Sequence, residues 1–182
     1  MTDLSLYILD ITMNSVRAGA NNISVTLFEE GGVLTMRIVD DGCGMTEEQV
    51  KSLSDPFFTT RTTRKVGLGV PFLRMLAEQT GGSVCITSKS EKEYSDHGTV
   101  VEAVFHTDHI DFIPMGDIVE TVVTLVQGSP NVDFRFHHRF EGGEAALDTA
   151  EMRVILGGDI PLDSFEILSF IREYLKDQYA QK

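Results

Sequence analysis

The stretch "VLTMRIVDDGCGMTEEQ", Val33 to Gln49, constrains the fold of this chain more than any other. An apolar run reads as a strand, two aspartates close it at Asp40 and Asp41, and Gly42, Cys43 and Gly44 follow. Asp-Gly is ordinary turn chemistry, and glycine tolerates positive φ. What comes next is not a second strand. Thr46, Glu47 and Glu48 read as a helix start, with acids at the positive end of its dipole. The order strand, glycine turn, helix permits a second use, in which a flat ligand approaches bare backbone while a carboxylate at the strand end accepts a hydrogen bond from it. The stretch alone leaves both readings open.

The flanking segments supply the frame. Residues 4–18 read as a helix stopped by Gly19. Two strands, "NISVTLFE" and "VLTMRIVD", are separated by Glu30-Gly31-Gly32. A short helix near 46–53 leads into "SDPFFTTRTTRKVGLG", a non-periodic segment long enough to be a lid or binding loop. A helix from Pro71 to Thr80, stopped by Gly81, and a hairpin of "SVCITSK" and "TVVEAVFH" come next. This order predicts an α+β two-layer sandwich with helices on one face of a mixed, largely antiparallel sheet. Beyond His106, Asp-x-x-Glu signatures at Asp117, Asp148 and Asp163 resemble capping boxes and predict helices over 117–127, 149–156 and 164–178. Between the first two, "VDFRFHHRF" sets Phe134, Phe136, His138 and Phe140 on one side of a strand and Arg135, His137 and Arg139 on the other. Residues 108–182 therefore read as a small α+β appendage to a domain spanning 1–107.

A hydrophobic content of 42% is enough for a real core, while a net charge of −13 and a pI near 4.7 argue against a nucleic-acid or anionic-membrane binder. Cys43 and Cys85 are too few for a disulfide framework, no apolar run approaches a membrane span, and the start lacks a basic leader. A reducing, cytoplasmic compartment is the expectation. Charge is unevenly spread: no acid stands between Asp55 and Glu78, where Arg61, Arg64, Lys65 and Arg74 fall. An isolated cationic loop in an anionic protein suits an anionic ligand, and suits equally a solvated loop that balances neighbouring acids.

In the first helix, Asp10, Asn14 and Arg17 share a face, and Leu6, Leu9, Met13 and Val16 form an apolar stripe elsewhere. Asn14 is a poor helix former in mid-helix and needs another justification. Its amide oxygen is a hard ligand suited to Mg²⁺, which takes its remaining ligands from waters and phosphates. Asp10, one turn away, is placed to polarise a water. Gly67, Leu68 and Gly69 open directly into a helix, whose exposed amides can bind phosphate, although the Walker-loop spacing is absent.

Five segments, "DITMNSVRAGA", "DDGCGM", "DPFFTTR", "GLGVPFLRMLAEQTGG" and "HGTVVEAVF", occur in an order that resembles the GHKL ATPases, the superfamily of DNA gyrase, heat-shock chaperones, histidine kinases and mismatch-repair ATPases. The resemblance covers roughly residues 4–106 and is nearest to histidine-kinase catalytic domains. It implies a Bergerat-type ATP-binding fold with ATP and Mg²⁺ as cofactors. It puts Asp40 on the carboxylate that accepts from the adenine amino group, with Gly42, Gly44 and Met45 beside the ring. Asn14 falls on the Mg²⁺ ligand, Gly67, Leu68 and Gly69 fall beneath the phosphates, and Thr60 and Thr99 fall in the nucleotide-binding motifs. Asp10 takes the place of a glutamate that is often the general base, and at least one of Arg61, Arg64 and Lys65 is expected to clamp the β- and γ-phosphates. Phe57 and Phe58 would fold the lid. Arg17 stands where several members carry an acid and receives no role, and the five histidines and Cys43 are expected to be inert.

The function so implied is binding of Mg-ATP followed by hydrolysis or by transfer of the γ-phosphoryl group to a separate protein. The alternative is a non-hydrolysing ATP/ADP sensor that signals through its lid and residues 108–182. A protein partner or phospho-acceptor is implied, and a homodimer is compatible. The short lead before the first helix favours a stand-alone domain over a conventional sensor kinase.

Overall fold

The computed structural model describes residues 2–53, 69–158 and 160–180. Helix α1 (Leu4–Arg17) starts where the Asp3 carboxylate accepts from the Leu6 amide, and ends before Gly19, whose φ of 77° admits few residues with a side chain. Strands β1 (Asn22–Glu30) and β2 (Val33–Asp40) form the antiparallel hairpin expected around Glu30-Gly31-Gly32. The pleat puts Ile23, Val25 and Leu27 of β1, and Leu34, Met36 and Ile38 of β2, on one buried face. The same period of two decides the fate of the paired aspartates. Asp40 continues the buried series, and Asp41 turns away from it.

Helix α2 (Glu47–Leu53) and helix α3 (Gly69–Gln79) flank the undescribed residues, and β3 (Ser83–Lys89) and β4 (Gly98–His106) form the second hairpin. Helix α4 (Ile118–Gly128), strands β5 (Asp133–Phe140) and β6 (Gly143–Asp148), and helices α5 (Thr149–Leu156) and α6 (Phe165–Ala180) complete the chain. The strands form one sheet in the order β3-β4-β2-β1-β5-β6, antiparallel except where β5 runs parallel to β1. Strands β5 and β6 therefore extend the sheet beyond β1. Helix α1 packs against α3 and α4, and α4 packs against α6. None of the described helices is long and apolar enough to cross a membrane.

Three local expectations change. The buried face of α1 is Leu4, Tyr7, Ile8 and Ile11 with Ser5, Thr12 and Ser15; Leu9, Met13 and Val16 lie at its margin, and Leu6 is 39% exposed. The helix is wedged between two others and under a sheet, so its buried arc is wider than one apolar stripe and includes polar residues. Asp117 and Asp148 cap α4 and α5 as expected, but α6 is capped by Ser164, whose hydroxyl accepts from the Ile167 amide, rather than by Asp163. Strand β6 was not expected at all. Its "GEAALD" is short and alanine-rich, although Glu141-Gly142-Gly143 repeats the turn composition of the first hairpin. Its free edge is covered by Gln178, whose amide accepts from Ala146 N at 2.8 Å and donates to Ala146 O at 3.1 Å, standing in for a strand.

His138 is buried where β1, β5 and α6 meet. Its Nε2 lies 2.9 Å from Glu29 Oε1 and its Nδ1 lies 2.7 Å from the Tyr179 hydroxyl. A carboxylate only accepts, so Nε2–H donates to Glu29, and Nδ1 shares a hydrogen bond with the Tyr179 hydroxyl. Burial, then the Glu29 charge, pushes the Tyr179 hydroxyl above its ordinary value.

Candidate functional site

A cavity of about 250 Å³ opens between α1, the end of β2 and the start of β4. That is near the lower end of small-molecule sites, roughly 300–1,000 Å³. Ile11, Met45, Ile86 and Val101 make its walls apolar, and Asn14, Asp40 and Thr99 bring polar atoms to it.

Asp40 is 9% exposed, and its carboxylate is held by three donors. Ser15 Oγ donates to Oδ2 at 2.5 Å, and the Gly42 and Thr99 amides donate to Oδ1 at 2.9 and 3.2 Å. A carboxylate has about four acceptor sites. Donors from the described residues use three, two on Oδ1 and one on Oδ2. An oriented acceptor on an apolar cavity has the chemistry to accept from a flat ligand that carries a donor.

Glycines make the close approaches around it. A Cβ on Gly42 would lie 2.9 Å from Ala18 Cβ, and one on Gly44, where φ is 65°, would lie 1.8 Å from Lys89 O. Met45 N donates to Ser88 Oγ at 2.8 Å, and Ser88 Oγ shares a hydrogen bond with Thr99 Oγ1 at 2.9 Å. The β2 turn and the β3–β4 hairpin are thus one hydrogen-bonded unit.

Asn14 lines the cavity one turn before Arg17, which also lines it and whose Nη1 donates to Asn14 Oδ1 at 2.9 Å. The amide oxygen keeps a second lone pair. Asp10 is not among the cavity-lining residues. Its Oδ2 lies 1.9 Å from where a Cβ on Gly69 would stand, so it packs against the first residue of α3. Val70, the next residue of α3, lines the cavity. Asn14, Asp40, Gly44, Met45 and Thr99 are thus brought together, with Gly42 just behind and Gly69 beside Asp10. Thr60, Arg61, Arg64, Lys65, Gly67 and Leu68, with Phe57 and Phe58, lie outside the described residues.

Asp41 has a different job. Its Oδ1 accepts from the Asn21 and Asn22 amides at 2.7 and 2.9 Å, and its Oδ2 accepts from Asn22 Nδ2 at 2.7 Å, which clamps the link between α1 and β1. Burial raises its carboxyl pKa, but these bonds from Asn22 and Asn21 outweigh burial and hold it below the ordinary value. Because the folded pKa is the lowered one, the stabilisation is present above the unfolded value of about 4 and is lost as pH falls through the folded value. Asp41→Ala should cost about 2 kcal/mol at neutral pH. Urea denaturation at successively lower pH should show the gap between wild type and variant closing.

Three contributors carry little signal in the sequence. Ser15 could have been suspected on the argument applied to Asn14, since a serine in mid-helix is also a poor former. Ser88 looks like any strand serine. Arg17 departs from the family pattern yet reaches the cavity.

A family profile described as "Histidine kinase-, DNA gyrase B-, and HSP90-like ATPase" matches residues 2–109. Sensor histidine kinase ZraS of Escherichia coli strain K12 is 30% identical over 91 residues, which are 49% of this chain and 19% of ZraS. Sporulation kinase E of Bacillus subtilis strain 168 is 31% identical over 101 residues, 53% of this chain and 13% of that kinase. The chain thus spans less than a quarter of either relative. The ATPase domain of Aquifex aeolicus MutL, solved in complex with ADP, shares the fold with a TM-score of 0.53 at 16% identity, covering 76% of this chain and 60% of that one. The profile takes in α1, both glycine-containing turns and every described residue around Asp40, over more than half of the sequence: this chain belongs to the histidine kinase-, DNA gyrase B- and HSP90-like ATPase family.

Proposed function

We propose that the protein binds ATP with Mg²⁺ in the cavity at the end of β2, and hydrolyses it or passes its γ-phosphoryl group to a separate protein. The observation that carries this is Asp40, a buried carboxylate that three donors of the described residues orient at the wall of an apolar cavity. Adenine offers an exocyclic amino donor on a flat ring that Ile11, Met45 and Val101 can flank. Phosphates would extend towards Asn14 and the first amides of α3, which carry the positive end of the helix dipole.

The donor set fits a phosphate-borne metal. No group of three or more His, Cys, Asp or Glu side chains among the described residues could hold an ion by itself. Mg²⁺ would instead take oxygens from the phosphates and one from Asn14, and would neutralise phosphate charge. Asn14→Ala should therefore cut the gain in ATP affinity on adding Mg²⁺ by about tenfold, while metal-free adenosine binding is spared. Calorimetry with ATP and with adenosine, each with Mg²⁺ and with chelator, reads both. Loss of adenosine binding as well, in a folded variant, would make Asn14 structural.

Hydrolysis would break the bond from the γ-phosphorus to the β–γ bridging oxygen, with water attacking and its proton passing to a base, the part assigned to Asp10. The short side chain of Asp10, where the family often carries a glutamate, favours a second reading, since a base must come within about 3 Å of its water. In it the protein binds ATP or ADP without turnover and signals the nucleotide state to a partner. Single-turnover incubation with γ-labelled ATP separates the two: released phosphate or labelled protein supports the enzyme, and retained intact ATP supports the sensor.

A further inference from the structure

His97 stands beside the site and has no part in the nucleotide reading. It stands just before Gly98 and Thr99, where β4 begins, and its Nδ1 lies 2.5 Å from Gly42 O. A carbonyl oxygen only accepts, so Nδ1 carries the proton and donates. The bond joins the two segments whose amides hold Asp40, because Gly42 N and Thr99 N both donate to Asp40 Oδ1. The Gly42–Cys43 peptide is then held at both ends: its carbonyl by His97, and its amide by Ala18 O at 2.9 Å. Between His97 and Thr99 the backbone passes so close to β2 that a Cβ on Gly98, where φ is 142°, would lie 2.1 Å from Asp40 O. A shift of the β4 start would move Thr99 N off the carboxylate.

We propose that His97 is a positioning residue that sets adenine selectivity, by locking the glycine turn to the β4 start so that Asp40 Oδ2 stays aimed at the cavity. This rests on the proposed adenine role of Asp40. His97 is not among the residues lining the cavity, so it acts through Asp40 rather than on the ligand.

The test compares ATP with inosine triphosphate, which has the same ribose and phosphates but a 6-oxo group instead of the amino donor. Loosening Asp40 costs only the ligand that uses it. In calorimetry with Mg²⁺, His97→Ala should weaken ATP binding about fivefold, the worth of one ordinary hydrogen bond, and leave inosine triphosphate affinity within about twofold. His97→Asn can place its amide N–H on Gly42 O, and should restore the wild-type preference for ATP. His97→Phe keeps the ring volume without the donor and carries the same readout should the alanine variant not fold. Unchanged ATP affinity in the donor-less variants, or equal loss for both nucleotides, overturns the proposal and leaves the nucleotide site standing. Wild-type protein that binds neither nucleotide removes the site reading itself, and this proposal with it.

Discussion

Asp40→Asn should leave the protein folded and weaken ATP binding by roughly 10- to 100-fold. Oδ1 accepts from the Gly42 and Thr99 amides, so the variant's carbonyl oxygen must occupy that position, since a terminal NH₂ there would face two donors. The NH₂ then takes the place of Oδ2, where the Ser15 hydroxyl can rotate from donating to accepting. The internal bonds therefore survive. What changes is the group facing the ligand, from acceptor to donor, against the amino donor of adenine. Losing a charge-assisted bond costs about 1.5–3 kcal/mol, which is the stated loss in affinity. The 6-oxo group of inosine triphosphate is an acceptor, so the variant's preference should swing towards that nucleotide. Calorimetry gives the affinities, and a thermal melt shows that the fold is kept. Equal ATP affinity for variant and wild type would remove Asp40 from the adenine role.

The parts of this architecture that rest on local periodicity and glycine placement are legible in the amino-acid sequence. Strand β2, the turn at Gly42 to Gly44 and the choice of Asp40 over Asp41 all follow from a period of two and from residues without a Cβ. Glycine stops at Gly19 and Gly81, and aspartate caps at Asp117 and Asp148, are signals of the same local kind. The hydrogen bonds that orient Asp40 are not legible there, since Ser15 and Thr99 stand 25 and 59 positions from it in the chain. Nor is the partner of β1. Nothing in "VDFRFHHRF" says that it lies parallel to β1 rather than in a sheet of its own, because parallel pairing is made by distant contacts and leaves no turn to read. Strand β6 escapes a sequence reading because only Ala145 and Leu147 face inward, too few to mark an alternation.

That parallel pairing leads to the largest expected effect: a chain cut after His109, which keeps the entire family match, should fail to fold cooperatively. Seven residues of β1, Asn22 to Phe28, pair with β5, and removing β5 would strip backbone hydrogen bonds from a middle strand of the sheet. Ile23, Val25 and Leu27 would lose Phe134 and Phe136 beside them. Helix α1, which carries Asn14 and Ser15, would lose α4 along its side and the carbonyls of Pro114 and Met115, which accept from Leu4 N and Ser5 N at 2.9 and 2.8 Å. Glu29 would lose its bond to His138. Each large buried apolar side chain stabilises by about 1.5–3 kcal/mol, and a whole domain is stable by only about 5–15 kcal/mol. Removing Phe134, Phe136, Val122, Leu125 and Ile171 together takes away about 7.5–15 kcal/mol, as much as that whole margin, before counting the backbone bonds. The truncated chain should show no sharp urea transition, should bind a hydrophobic dye and should not retain ATP. A cooperative transition together with ATP binding in the 1–109 chain would instead make residues 108–182 a dispensable appendage on a self-sufficient domain.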